Sequence, residues 1–144
     1  MTDQKKLIVF VCTGNTCRSP MAEAIFKSML ADSWLDDWYV CSRGISAYPG
    51  QPAAKNAVEV MREFGCDLSS HRAANLTDSE LDAADIFICM TAEHAKILKM
   101  SGVNESKIEV LNVADPFGGN IETYRLAAAE IKRKLEVIYG NIIK

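Results

Sequence analysis

Cys12 and Arg18 bracket the stretch CTGNTCR, with small polar residues between them. A thiolate is a strong nucleophile. A guanidinium offers a planar fork that fits two oxygens of a phosphate-like anion. Gly14 and Asn15 are the residue types that most easily enter the left-handed backbone a tight curl requires. A loop curled in this way turns its N–H groups inward, and the positive end of a following helix adds to them, making an anion site. The same field favours the ionised thiol, so an oxyanion could be bound and attacked in one place. A second reactive segment, DPFGG (115–119), opens with Asp115, whose carboxyl could pass a proton to a leaving group. Asp-Pro is also a common turn opener, so this pair has a plain structural explanation too.

Spacing alone is weak evidence, because Cys66 and Arg72 repeat it in CDLSSHR. Context separates the two. The apolar run LIVFV (7–11) precedes Cys12 and reads as a buried strand. Ser19 follows as a candidate N-cap, with Pro20 at the first helical position and Met21, Ile25, Phe26 and Met29 on the apolar face of a helix. Cys66 instead follows a helix stop at Gly65 and reads as a small packed residue. The Cys12–Cys17 pair lacks the second ligand pair zinc needs, since Cys41, Cys66, Cys89, His71 and His94 show no paired spacing. No metal site is expected. Nor is a triphosphate site, because GxxxxGK[ST] is missing.

The elements that must position these residues alternate. Strands are expected at 7–11, 38–42, 85–90 and 107–111. Helices are expected after the first strand, from about Ala53 to Phe64, from the capping box Thr77-Asp-Ser-Glu80 to about Ala84, over TAEHAKILKMSG (91–102) ending at Gly102, and from about Ile121 to Tyr139. Tyr124, Ala127, Ala128, Ile131, Leu135 and Ile138 form the buried stripe of the last helix. Strands alternating with helices imply right-handed crossovers and an α/β fold, a four-stranded parallel sheet with helices on both faces in a three-layer sandwich. Ligands in such sheets bind beyond the carboxyl ends of the strands. The loops after the first and fourth strands, carrying Cys12 and Asp115, belong to that edge.

The 144 residues contain no linker-like stretch, and one domain over 1–144 is expected. Net charge is −3 with no basic stripe, which argues against nucleic acid as a partner. No apolar run approaches the ~20 residues that span a bilayer. The run after Lys5 and Lys6 is too short for a signal core and lacks a cleavage motif. These features lead to the expectation of a cytoplasmic protein without membrane partners. Five cysteines suit free thiols better than a disulfide framework.

VCTGNTCRSPMAEA (11–24), SSHRA (69–73) and DPFGG (115–119) together resemble the low-molecular-weight protein tyrosine phosphatase family, and the resemblance spans essentially the whole chain. It implies the flavodoxin-like, phosphotyrosine phosphatase I-like form of the sandwich. It implies Cys12 as nucleophile, a cysteinyl-phosphate intermediate, and Asp115 as proton donor and then base. Arg18 and the N–H groups of Thr13, Gly14, Asn15, Thr16, Cys17 and Arg18 would hold the phosphoryl oxygens. Ser19 would hydrogen-bond the thiolate, and His71 would steady Asn15. His94, in the first turn of a helix, reads as a solvated polar residue. Under oxidation Cys17 could pair with Cys12 and protect it, although packing explains Cys17 equally well. No cofactor is implied. The partners implied are a phosphorylated protein as substrate and inorganic phosphate as product, with the chain a monomer or weak dimer.

The protein arginine phosphatases of this family carry Thr where tyrosine-directed members carry a bulky aliphatic residue, and this chain has Thr16. They also share the Phe117-Gly118-Gly119 form of the acid loop. Both features point to phosphoarginine. Phe117 could stack on a guanidinium or a phenol alike. Tyr48 is either a cleft wall or a loop tyrosine, and Arg43 would place a second cation near the variable loop, where it could affect the substrate charge preferred. Arsenate reductases use a cysteine in the same loop and are the alternative, but they need further redox thiols.

Overall fold

The computed structural model describes residues 5–143. Strand β1 (Lys6–Cys12) is the spine: Ile8, Val9, Phe10 and Val11 are all fully buried. Burial on both faces is what a continuous apolar run dictates in a parallel sheet. β1 pairs with β2 (Trp38–Gly44) on one side and β3 (Ile86–Cys89) on the other. β4 (Ile108–Val110) adds to β3, giving a four-stranded, all-parallel sheet in the order β2-β1-β3-β4. The chain leaves β1 in one direction to form β2 and returns across it to form β3. That reversal makes the carboxyl ends of β1 and β3 the switch point where α/β sheets place ligands.

Alternation along the strands decides which helices cover which face. Ile8, Phe10 and Ile88 pack with residues of α1 (Arg18–Asp32), α2 (Lys55–Glu63) and α5 (Ile121–Ile142). Phe26 of α1 sits edge-on to Phe10 and to Tyr139 of α5, each at 5.6 Å. Val9, Val11, Phe87 and Cys89 face the other way, onto Ala95 and Leu98 of α4 (Ala92–Met100). Leu81 of the short α3 (Asp78–Ala83) joins that layer from the edge. The three-layer sandwich expected from the alternation of elements is therefore present. Among the described residues, no helix is long and apolar enough to cross a membrane.

Element boundaries moved where the chain had other work. α2 begins at Lys55, not Ala53, because Pro52 forms a bridge with Arg72 and the Ala54 N–H donates to Thr16 O at 2.9 Å. The capping box at Thr77 and Glu80 forms as expected. α5 runs through Gly140 to Ile142, and five of its six expected stripe residues are buried in the core, namely Tyr124, Ala127, Ala128, Ile131 and Leu135, with Ile138 partly buried against it. The expected N-cap at Ser19 is not the N-cap. α1 begins one residue before it, with Cys17 in the cap position and no side-chain cap at all. Ser19 turns inward from the first turn, where the Cys12 thiol claims its hydroxyl.

Candidate active site

Residues 12–18 leave β1, curl, and enter α1. The curl turns on Asn15, which is left-handed at φ +57° and fully buried. Asparagine tolerates that conformation because its short side chain can hydrogen-bond locally. Here Asn15 Nδ2 donates to Ser19 Oγ (2.9 Å) and Ser42 Oγ (3.0 Å), and its Oδ1 accepts from the Ala74 N–H (2.9 Å). His71 Nε2 meets the Asn15 carbonyl oxygen at 2.7 Å. Gly14, expected to supply the left-handed residue, does not. The turn falls one position later, on the residue whose side chain can be tied down. A Cβ at Gly14 would meet only Thr16 Oγ1, at 3.9 Å, so packing does not demand glycine there.

Cys12 lies at the bottom of the curl, almost wholly buried. Its Sγ is 2.8 Å from Ser19 Oγ and accepts from the Asn15 N–H at 3.3 Å. Both contacts suit a sulfur carrying negative charge. Without a side-chain cap, the leading N–H groups of α1 keep the unpaired character that draws anions. Arg18 is buried beside them, its Nη1 donating to Val113 O at 3.0 Å. Its Nη2 stands 3.5 Å from Asp115 Oδ2, and Asp115 Oδ1 accepts from the Phe117 N–H at 3.1 Å. The segment after β4 thus reaches the loop after β1, as the parallel topology requires.

These residues line one cleft of about 270 Å³. Its floor is residues 12–18, and its rim carries Asp115, Phe117 and Tyr48 together with Ser46 and Gln51. Phe117 and Tyr48 are both strongly exposed. Ser19 and His71 lie behind the curl and not in the cleft wall. The arrangement can hold a tetrahedral oxyanion over a thiol, with a carboxyl at the mouth for proton transfer.

Two further expectations fail here. Arg43 is not a free second cation for substrate: its Nε lies 2.8 Å from Glu80 Oε2, and it lies outside the cleft lining. β2 directs it to α3, whose capping-box glutamate has a second oxygen to offer. His94 is not solvated. It is 5% exposed, with Nε2 2.9 Å from Thr13 Oγ1 and Nδ1 3.0 Å from Thr91 Oγ1. Burial, then the nearby Arg18 charge, hold its pKa below the usual histidine value. Topology carried the missed signal: α4 follows β3, and β3 neighbours β1, so the first turn of α4 falls at the same sheet edge as the loop.

Other supports were silent in the sequence. Ser42 bridges Asn15 to Glu23, donating to Glu23 Oε1 at 2.7 Å. Asn75 clamps the loop that carries Tyr48, accepting from the Ala47 N–H (2.6 Å) and donating to the Ala47 carbonyl (3.1 Å). Cys17 faces Tyr124 Oη at 3.3 Å, and burial raises its thiol pKa. All five cysteines are free thiols.

Residues 7–144 match the family model described as low molecular weight phosphotyrosine protein phosphatase. A protein-arginine-phosphatase of Bacillus subtilis is 38% identical, over 95% of this chain and 97% of its own. Relatives of similar identity carry tyrosine-phosphatase names. An arsenate reductase of Staphylococcus epidermidis is 34% identical, over 96% of this chain and 99% of its own. Among solved structures, the arginine phosphatase YwlE with a phosphorylated active-site serine superposes with a TM-score of 0.89 at 36% identity, over 96% of both chains. Match and superposition both span nearly the full chain and take in the loop, the sheet edge and the acid segment, so the chain belongs to the low molecular weight phosphotyrosine protein phosphatase family.

Proposed function

We propose that the protein is a phosphoprotein phosphatase that uses Cys12 as nucleophile and needs no metal. One observation carries this reading. The Cys12 sulfur lies on the floor of a cleft where Arg18 and Asp115, from opposite ends of the chain, stand 3.5 Å apart. Cys12 Sγ attacks phosphorus in line, forming an S–P bond as the bond to the leaving atom breaks. Arg18 and the N–H groups of residues 13–18 hold the three equatorial oxygens, where transition-state charge collects. Phosphoryl oxygens arriving there compete with Asp115 for the guanidinium, releasing the carboxyl towards the leaving group. Asp115 donates its proton to that group, then takes one from the water that hydrolyses the cysteinyl-phosphate. Inorganic phosphate leaves. The superposed YwlE structure, with phosphate on its active-site serine, supports a phosphoenzyme route.

Phosphoarginine is the substrate we favour. Thr16 lines the cleft and sets a hydroxyl where a bulky aliphatic side chain would narrow it. The arginine-directed relative supports this choice. The test compares phosphoarginine and phosphotyrosine peptides on the wild type and on Thr16→Ile. The substitution should shift kcat/KM towards phosphotyrosine, and an unchanged ratio would remove Thr16 as the selector.

An arsenate reductase remains the second reading, favoured by the reductase relative. It needs thiols that can reach Cys12. Cys89 is fully buried within β3, and burial pushes its pKa up to about 12. Cys66 lines a different cavity, beside Phe64 and Lys132. Only Cys17 shares the cleft lining with Cys12. Metal-free release of phosphate from para-nitrophenyl phosphate, without thiol consumption, supports the phosphatase. Arsenate-dependent thiol consumption supports the reductase.

A further inference from the structure

His94 presents a second feature of the site edge. It sits in the first turn of α4, yet α4 does not need its ring, because Thr91 caps the helix through the His94 backbone N–H. The imidazole is spent elsewhere. One nitrogen meets Thr91 Oγ1 at 3.0 Å, and the other crosses to Thr13 Oγ1 at 2.9 Å, a residue 81 positions away in sequence. A neutral imidazole has one donor and one acceptor nitrogen, and two hydroxyls satisfy both. Three charged groups bear on the ring: Arg18 of α1, Asp115 of the segment after β4, and Glu93 of its own helix. Burial and Arg18 favour the neutral form, which is the form that can brace a hydroxyl without adding charge beside the guanidinium.

Thr13 is the residue the brace acts on. It follows Cys12 directly, and its carbonyl accepts from the Ser46 N–H at 2.9 Å. That carbonyl is also the atom a Cβ at Gly44 would strike, at 2.7 Å. The Thr13 backbone thus lies close against the end of β2, and its side chain is held by His94. We infer that His94 is a positioning residue: from α4 it holds Thr13, and so the first turn of the anion-binding loop, in the geometry that grips a phosphoryl group. This inference rests on the phosphatase reading of the loop.

The test is a double-mutant cycle between His94→Leu and Thr13→Val, read as kcat/KM on para-nitrophenyl phosphate and as the Kd of inorganic phosphate. Thermal melting reports folding. Each single variant should lose about tenfold in both readouts, the size of one unmade hydrogen bond at a partly buried site. The double variant should lose no more than either single. His94→Gln, which keeps an amide N–H to donate, should recover most of the loss at an unchanged melting temperature. Additive losses, or a His94→Leu protein that binds phosphate like the wild type, overturn the inference. If His94→Leu does not fold, Thr13→Val replaces it as the variant that breaks the contact. In that case Thr13→Val must reproduce the loss alone, and wild-type-like binding by Thr13→Val overturns the inference. A wild type that binds phosphate without turnover defeats the phosphatase reading, while the cycle on Kd still decides the role of His94. A wild type that does not bind phosphate overturns both.

Discussion

Asn15→Ala should be among the most damaging single substitutions outside the reacting groups. The wild-type side chain makes three hydrogen bonds, at 2.9, 3.0 and 2.9 Å, to Ser19, Ser42 and Ala74, the first two buried and the third partly so. Removing it leaves their polar groups without that partner in the interior, at roughly 1 kcal/mol each. Alanine must also hold φ +57°, where asparagine is tolerated, at about 1 kcal/mol more. The sum is about 4 kcal/mol, a large share of a stability of about 5–15 kcal/mol. Urea unfolding followed by circular dichroism should show the midpoint falling by about 2 M, for a slope of about 2 kcal/mol per molar. The melting temperature should fall by about 8–16 °C. Phosphate affinity should fall as well, because the curl that aims the amides turns on this residue. A loss below about 1 kcal/mol with phosphate affinity intact would refute the view that Asn15 anchors the loop.

Three further outcomes follow from the geometry. Asp115→Asn should lower kcat by about 10²–10³-fold for a substrate whose leaving group needs a proton, and far less for one that departs readily without it. Equal losses on both would deny Asp115 the acid role. Gly44→Ala places a Cβ 2.7 Å from the Thr13 carbonyl and 2.8 Å from the Ala47 Cβ. It should cost about 1–3 kcal/mol by overpacking and lower phosphate affinity, measurable by melting and calorimetry. In alkali, burial raises the Cys89 thiol from 9.0 to about 12 and the Cys41 thiol from 9.0 to about 11. Those protons stay on the folded chain while the unfolded chain releases them, so stability present below pH 9 is lost as pH rises towards 11 and 12. Cys89→Ala should be less stable at neutral pH yet show a shallower alkaline slope in urea titrations from pH 8 to 11. An unchanged slope would mean that Cys89 does not hold its proton.

Much of this molecule was legible along the chain, because the relevant physics is local. An unbroken apolar run announces a strand buried on both faces, and LIVFV became the central β1. Thr77 and Glu80 carry their own capping chemistry and formed it. The residue types between Cys12 and Arg18 are those a tight curl needs, and alternation of elements placed the segment carrying Asp115 on the same sheet edge. What remained hidden depended on neighbours far away in sequence. No local rule says that the left-handed position is Asn15 and not Gly14, since that choice follows from Ser19, Ser42 and Ala74 converging on one amide. Likewise, Ser19 looks like a cap until the thiol that claims it is in place, and Arg43 looks free until Glu80 arrives. His94 looks solvated because a helical first turn is usually exposed. Only the packing of α4 against the sheet, with β3 beside β1, buries its ring and points it at Thr13. Backbone propensity and hydrophobic period are written residue by residue. The partners of a polar side chain are chosen by the crossing of elements, which exist only once the chain has folded.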